Sequence, residues 1–147
     1  MPNWAKGTLK VRGAKKNVKR FVLQTFDDVI FDNWGAEVFV NHSKNHTDVW
    51  MNQTRRAFVD FSDEIFGYPN ENGDIILEFP FMQAWAAIPE NYSEISKKYD
   101  VDIKIFTFEQ GQEFTQEVEI IKGKITKDSC YQYDDYKLEV SFSNLGG

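Results

Sequence analysis

Cysteine and long apolar runs are scarce in this chain of 147 residues, and each shortage excludes a class of protein. The only cysteine is Cys130, so no internal disulfide can form, and an iron–sulfur cluster that takes four thiolates is excluded. Nowhere do about 18 apolar residues follow one another, and no basic start precedes an apolar stretch of signal-peptide length. We therefore expect a cytoplasmic protein that makes no contact with a membrane.

Histidine is also scarce. His42 and His46 are four residues apart, a spacing at which a helix could present both imidazoles to one metal ion. Their segment is rich in Asn, Ser and Lys and lacks the apolar pattern of a helix. The sequence therefore favours a polar loop, and it predicts neither a metal site nor a cofactor.

Acidic residues are absent from the first 26 positions, which hold seven basic side chains. The remaining positions hold ten basic and 23 acidic residues, and the net charge of the chain is −6. Such asymmetry indicates either two faces of opposite potential or a basic element that lies against an acidic one. The sequence leaves both arrangements open.

Apolar periodicity predicts two helices among many strands. The helices are expected over 14–26, where Val18, Phe21 and Val22 share one side, and from Pro89 to Tyr99. Strands are expected over 8–12, 38–40, 49–51, 55–60, 74–81, 101–108, 114–121, 124–126 and 136–142. Pro80 requires an edge, an end or a bulge in its strand. The order of these elements is that of the split βαβ arrangement, in which two helices cover one face of an antiparallel sheet, and residues 1–147 are interpreted as one domain.

Short motifs in the same order resemble those of the YubB-type ferredoxin-like domains, small proteins of bacterial phages, plasmids and conjugative transposons. The motifs are Met1-Pro-Asn-Trp4, Arg55-Arg56-Ala57-Phe58, the apolar run from Phe79 to Trp85, and Phe108-Glu-Gln-Gly111. The resemblance implies a ferredoxin-like α+β fold: an antiparallel sheet, two helices on one face, and additional strands. It also implies a mobile genetic element as the origin and carries no established biochemical activity.

The motif residues Trp4, Arg55, Arg56 and Trp85 are expected to have structural roles. The ring of Trp4 is expected to pack against the sheet or the second helix near Trp85, because large rings are rarely left free. Relatives commonly have cysteine where this chain has Ala5. Any thiol function imagined for the family is therefore absent at that position.

Carboxylates offer the only pattern that suggests acid–base catalysis. They cluster where one predicted strand ends and the next begins, at Glu109, Glu113, Glu117 and Glu119. Alternation along strands explains them more simply, because Glu117 and Glu119 would share one solvated face while Val118 and Ile120 share the other. No nucleophile and base form a recognisable motif. The sequence therefore predicts no catalytic residues and no enzyme.

A basic constellation is the candidate interaction surface. It comprises Lys10 and Arg12 on the first strand with four residues of the first helix, Lys15, Lys16, Lys19 and Arg20. Nucleic acid is the obvious anion for such a surface, and exposed rings on a sheet could stack bases. Lysines on the solvated face of a helix are the simpler interpretation.

We expect a non-enzymatic interaction module of a bacterial mobile genetic element, with a protein as its partner. One alternative is a nucleic-acid-binding accessory protein that uses the basic first helix. A second is an acidic inhibitor or mimic that acts on host nucleic-acid enzymes. An enzyme that uses the acidic strand ends ranks last, and the oligomeric state is left open.

Overall fold

The structure is a computed structural model that describes residues 1–32, 36–40, 47–54 and 56–147. Within these ranges the helices are α1 Lys15–Thr25, α2 Pro89–Tyr99 and α3 Tyr136–Glu139. The strands are β1 Trp4–Gly13, β2 Val29–Asp32, β3 Glu37–Val40, β4 Asp48–Trp50, β5 Ala57–Asp60, β6 Ile65–Phe66, β7 Tyr68–Pro69, β8 Ile75–Ala84, β9 Asp102–Glu109, β10 Phe114–Ile121 and β11 Lys124–Gln132.

Eight of the strands form one antiparallel sheet. Its order is β11-β10-β9-β1-β8-β5-β4, and β7 pairs with one end of β8. Because successive side chains of a strand point to opposite faces, each strand contributes one set of residues to each face. In β1, Leu9 and Val11 are fully buried while Lys10 between them is exposed. The sheet therefore has one buried, apolar face and one face whose side chains are mostly exposed or half-buried.

Helices α1 and α2 pack on the apolar face, which we call the covered face. Both helices belong to the same buried cluster as Leu9 and Val11. Phe21 of α1 contacts Tyr99 of α2 edge to face, with ring centroids 5.8 Å apart. The two helices predicted from spacing are thus confirmed, with α1 one residue shorter at each end than the range 14–26.

A smaller antiparallel sheet, in the order β2-β3-β6, extends the core. Its buried residues Val29, Phe31, Val38 and Ile65 join the same cluster. Of these strands only β3 was predicted, because the others are short and their apolar residues fit no clear period.

Within the described ranges, the second edge of β8 is paired at its two ends and not between them. Residues 81–83 pair with β5, and Tyr68 and Pro69 of β7 pair with Ile76 and Ile75. Pro80 is the last residue of the stretch 77–80, which has no partner strand on this edge, so a proline there interrupts no pairing on that side. This position satisfies the requirement predicted for Pro80.

The strand predicted over 136–142 is wrong. Tyr136–Glu139 forms the short helix α3. Tyr136 and Val140 are buried, whereas Leu138 is 81% exposed. The buried pair is four residues apart, so an alternating apolar pattern hid a helical contact.

The predicted fold class is also wrong. Of the residues that the structure describes, 48% lie in strands, which pair antiparallel, and 19% lie in three short helices. Its eight-stranded and three-stranded sheets differ from a two-helix ferredoxin-like α+β domain. The sequence predicted α1 and α2. It did not predict β2 and β6 of the small sheet, and it predicted β11 too short. These features depend on contacts between distant segments.

Candidate interaction surface

The face of the large sheet opposite α1 and α2, which we call the open face, carries several aromatic side chains in register across the strands. In antiparallel strands, directly paired residues have side chains on the same face. One line of paired residues crosses all seven strands of the main path: Trp50, Phe58, Met82, Lys6, Phe108, Thr115 and Tyr131. Strands lie about 4.8 Å apart, so this line, which we call the aromatic row, is about 29 Å long.

Rings at both ends of the aromatic row are open to solvent. Trp50 is 43% exposed and Tyr131 is 61% exposed. Near the first end, Phe58 contacts Trp50 at 4.4 Å and Trp4 at 5.5 Å between ring centroids. The row therefore presents large apolar side chains whose neighbours hold them in place.

The C-terminal segment lies along part of the aromatic row. Phe142 contacts Phe108 edge to face at 5.6 Å and is itself 58% exposed. The hydroxyl groups of Tyr133 and Thr115 are 2.7 Å apart, within hydrogen-bond distance. This segment adds rings to the open face.

Charges on the open face form a second line, the charged row. Its paired members are Glu78, Lys10, Lys104, Glu119 and Lys127. The Lys10 Nζ lies 4.0 Å from a Glu78 carboxylate oxygen, and Lys104 Nζ lies 3.8 Å from Glu119. The cations of this row are therefore compensated by carboxylates of the same sheet.

Glu117 forms ion pairs with two lysines of the charged row. Its carboxylate lies 2.9 Å from Lys127 Nζ and 3.2 Å from Lys104 Nζ. The hydrogen bond from Lys127 lowers the pKa of Glu117 below its usual range, against the opposing effect of burial, and Lys104 lowers it further.

The predicted basic constellation is divided between the two sides of the sheet. Lys10 and Arg12 lie on the open face, where Arg12 Nη2 is 2.7 Å from Asp102 Oδ2. Their four predicted companions lie on α1, which packs on the covered face: Lys15, Lys16, Lys19 and Arg20. The structure therefore does not bring these six residues into one surface.

Arg20 already has contacts within the fold. Its Nη2 donates to the Lys98 carbonyl oxygen at 3.2 Å, and its guanidinium carbon lies 5.8 Å from the Tyr99 ring centroid. These contacts connect α1 with the end of α2. Part of the basic helix face is thus structural.

The motif residues that the structure describes meet at one corner of the large sheet. Trp4 pairs with Ala84, whose N–H donates to the Arg56 carbonyl oxygen at 3.0 Å. The N–H of Trp85 donates to the Asn3 carbonyl oxygen at 2.9 Å. The ring of Trp4 packs on the sheet against Phe58, and Trp85 is half-exposed; the expected position of the Trp4 ring near Trp85 stays a prediction.

Two of these motif residues have unusual backbones. Arg56 and Trp85 have φ angles of 57° and 60°, in the left-handed region that bulky side chains rarely adopt. The hydrogen bonds at this corner hold both conformations. Arg55 lies outside the described residues.

Three of the four carboxylates considered for catalysis, Glu109, Glu117 and Glu119, have structural partners. Glu109 is fully buried and accepts hydrogen bonds from the N–H groups of Gly111 and Gln112 at 2.6 and 2.7 Å. Glu117 and Glu119 share the open face while Val118 and Ile120 are buried, which confirms the alternation predicted for β10. None of these contacts resembles a poised acid and base.

Cys130 lies in β11 and is exposed. Partial burial raises the pKa of its thiol, and Asp128 adds to the effect. A raised pKa disfavours the thiolate that a nucleophile requires.

His42 and His46 lie outside the described residues, so the polar loop predicted for them stays a prediction. Elsewhere in the described chain, no three acidic, histidine or cysteine side chains converge as metal ligands would. Nor does any helix within the described ranges have the length and apolar character needed to cross a bilayer.

No protein-family model matches the chain, and neither a curated protein nor a solved structure shows significant similarity to it. The resemblance to YubB-type domains is thus neither supported nor refuted. The mobile-element origin that it implied has no support, and we withdraw that description.

Sequence reasoning missed the aromatic row. Trp50 and Tyr131, its most exposed aromatic members, are far apart in the chain and belong to opposite edges of the sheet. Two rings of one face, Phe106 and Phe108, are two residues apart in the sequence. Only the register of the strands places Phe108 in line with the other members of the row.

Proposed function

We propose that this chain is a non-catalytic protein-interaction module that binds its partner through the aromatic row. The proposal is carried by one observation: on a face left uncovered by both long helices, a line of paired residues crosses seven strands and carries four rings, Trp50, Phe58, Phe108 and Tyr131. Tyr and Trp are enriched at protein interfaces and dominate their energetics. A length of about 29 Å suits a patch of standard interface size.

Charge favours a protein over nucleic acid as the partner. Lysines of the charged row are compensated by Glu78, Glu117 and Glu119. The basic face of α1 lies on the other side of the sheet, and the net charge of −6 opposes non-specific attraction to a polyanion. Location in the cytoplasm is part of the proposal.

The test is partner capture with variants of the two sides of the sheet. Wild-type protein is immobilised beside Trp50→Ser/Tyr131→Ser, which changes the exposed ends of the aromatic row. The matched control replaces Lys15, Lys16, Lys19 and Arg20 with Gln on the opposite side. Lysate from the native host is applied with and without nuclease, and each partner is then purified and its affinity measured directly.

We expect a partner whose binding is at least about tenfold weaker with the ring variant, because interface rings are frequent hot spots. Binding should be unchanged in the helix variant and after nuclease treatment. Loss of binding with the helix variant, steep dependence on salt and sensitivity to nuclease would instead identify nucleic acid as the partner. Equal binding by the wild type and the ring variant would contradict the proposal.

A further inference from the structure

A trough crosses the open face beside the aromatic row. Its floor is a third registered line, in which Thr8 of β1 pairs with Pro80 on one side and with Phe106 on the other. One recess lies toward Pro80 and another toward Phe106, and Gly7 and Thr8 line both. The two recesses are therefore neighbours along one floor.

The first recess is acidic. It has a volume of about 420 Å³ and lies beside the unpaired stretch of β8, where residues 60–68 form its wall. Its carboxylates are Asp60, Asp63, Glu64 and Glu78. Among the described residues, no Lys or Arg nitrogen lies within 4 Å of the first three, whereas Glu78 has Lys10 at 4.0 Å.

Acidic side chains are also close together behind this wall, and they affect the pKa of Glu37. A hydrogen bond with Glu64 raises the pKa of Glu37, and burial and the charges of Glu64 and Asp32 raise it further. Among these causes, the charges of Glu64 and Asp32 show that carboxylates lie close together behind this wall. A cation in the recess would be attracted by Glu64.

The second recess is apolar. It has a volume of about 370 Å³ and is lined by Phe106, Phe108, Phe142 and Leu145, with Lys6 at its edge. Its outer wall is held by backbone hydrogen bonds: Gln110 N–H donates to the Leu145 carbonyl oxygen at 3.2 Å, and Gly147 N–H to that of Trp4 at 2.9 Å. The recess thus exists before any ligand binds, which lowers the entropic cost of binding.

We propose that this trough binds a segment of the partner protein that carries a bulky apolar side chain close to a basic one. The apolar side chain occupies the recess at Phe106 and Phe142, and the basic side chain lies among Asp60, Asp63 and Glu64. Charge complementarity specifies the partner, because among the described residues the carboxylates without a Lys or Arg nitrogen within 4 Å line one recess only. This inference rests on the proposed function and adds the chemistry of the partner.

The probes are fluorescein-labelled synthetic peptides of ten residues in a Gly/Ser background. Each has one Phe and one Arg with one to four residues between them, so their Cα atoms are about 7–17 Å apart in an extended chain. Matched peptides replace Arg with citrulline or Glu, or Phe with Ser. Affinity is measured by fluorescence polarisation, and NMR amide shifts at Gly7 and Thr8 report the location.

We expect at least one spacing to bind with a Kd of about 1 mM or tighter. Asp63→Asn/Glu64→Gln should weaken that Phe/Arg peptide about fivefold and leave the citrulline peptide unchanged. Phe142→Ser, at an exposed ring, should weaken both peptides. The control Glu71→Gln/Glu94→Gln removes the same charge from exposed positions outside the trough and should change neither affinity.

Two results would overturn the inference: no binding at any spacing, or equal binding of the Arg and Glu peptides. Capture of the partner through Trp50 and Tyr131 is a separate readout. If that capture succeeds and the peptides fail, the proposed function holds and only the chemistry assigned to the trough is wrong. Failure of both measurements would remove both proposals.

Discussion

The covered and open faces of the large sheet are built by alternate residues of the same strands, yet they obey different constraints. On the covered face, Leu9, Val11 and Phe79 are fully buried, so folding itself demands apolar side chains there. On the open face, folding requires little beyond strand propensity and solubility. Rings such as Trp50 and Tyr131 at those positions therefore point to binding more strongly than the larger number of rings in the core.

The largest effect should come from the covered face. Phe79→Ala removes a fully buried ring that contacts Phe26 at 5.6 Å and Phe61 at 6.0 Å between centroids. We expect the free energy of unfolding to fall by about 3–5 kcal/mol. Urea denaturation followed by circular dichroism measures the change. If the free energy of unfolding falls by less than about 1 kcal/mol, the covered face does not depend on its buried rings as described.

A smaller effect is expected at Trp4, on the open face. Trp4→Ala removes a half-buried ring that contacts Phe58 at 5.5 Å, and part of this ring is hydrated in the folded state. The free energy of unfolding should fall by about 1–2 kcal/mol, less than for a core ring. The same urea experiment gives the number. A loss as large as that of Phe79→Ala would show that Trp4 belongs to the core and weaken its assignment to a binding face.

Local elements could be predicted from the sequence because their signals are local. The spacing of Val18, Phe21 and Val22 indicated α1, and Pro89 marked the first residue of α2. The fold class could not be predicted, since β2 and β6 are stable only through pairing with β3 and packing on the core. A short strand without such partners has too few contacts of its own to leave a clear pattern.

The candidate surface was hidden for the same reason. Lys10 and Lys19 are close in sequence, which suggested one basic surface, but the sheet separates them onto opposite sides. Lys6 and Tyr131 are remote in sequence and lie in one row. Register depends on every strand between them, so no short motif could reveal it.

The smallest change in the free energy of unfolding is expected within the charged row. This change should depend on pH, unlike a change in the aromatic row. Glu117→Gln removes the carboxylate that Lys104 and Lys127 share. The pKa of Glu117 is lowered in the folded protein, so its ionised carboxylate stabilises the fold. This stabilisation is fully present above the ordinary glutamate pKa of about 4.3 and is lost as the pH falls through the lowered value. At pH 7 the variant should be less stable by up to about 1 kcal/mol, as for a partly exposed ion pair. Urea denaturation from pH 7 to pH 3 should show the two stabilities converging in acid, with Glu71→Gln as the unchanged control. A difference that persists or grows at low pH would show that Glu117 acts through packing, and the charged row would then lose its description as a compensated network.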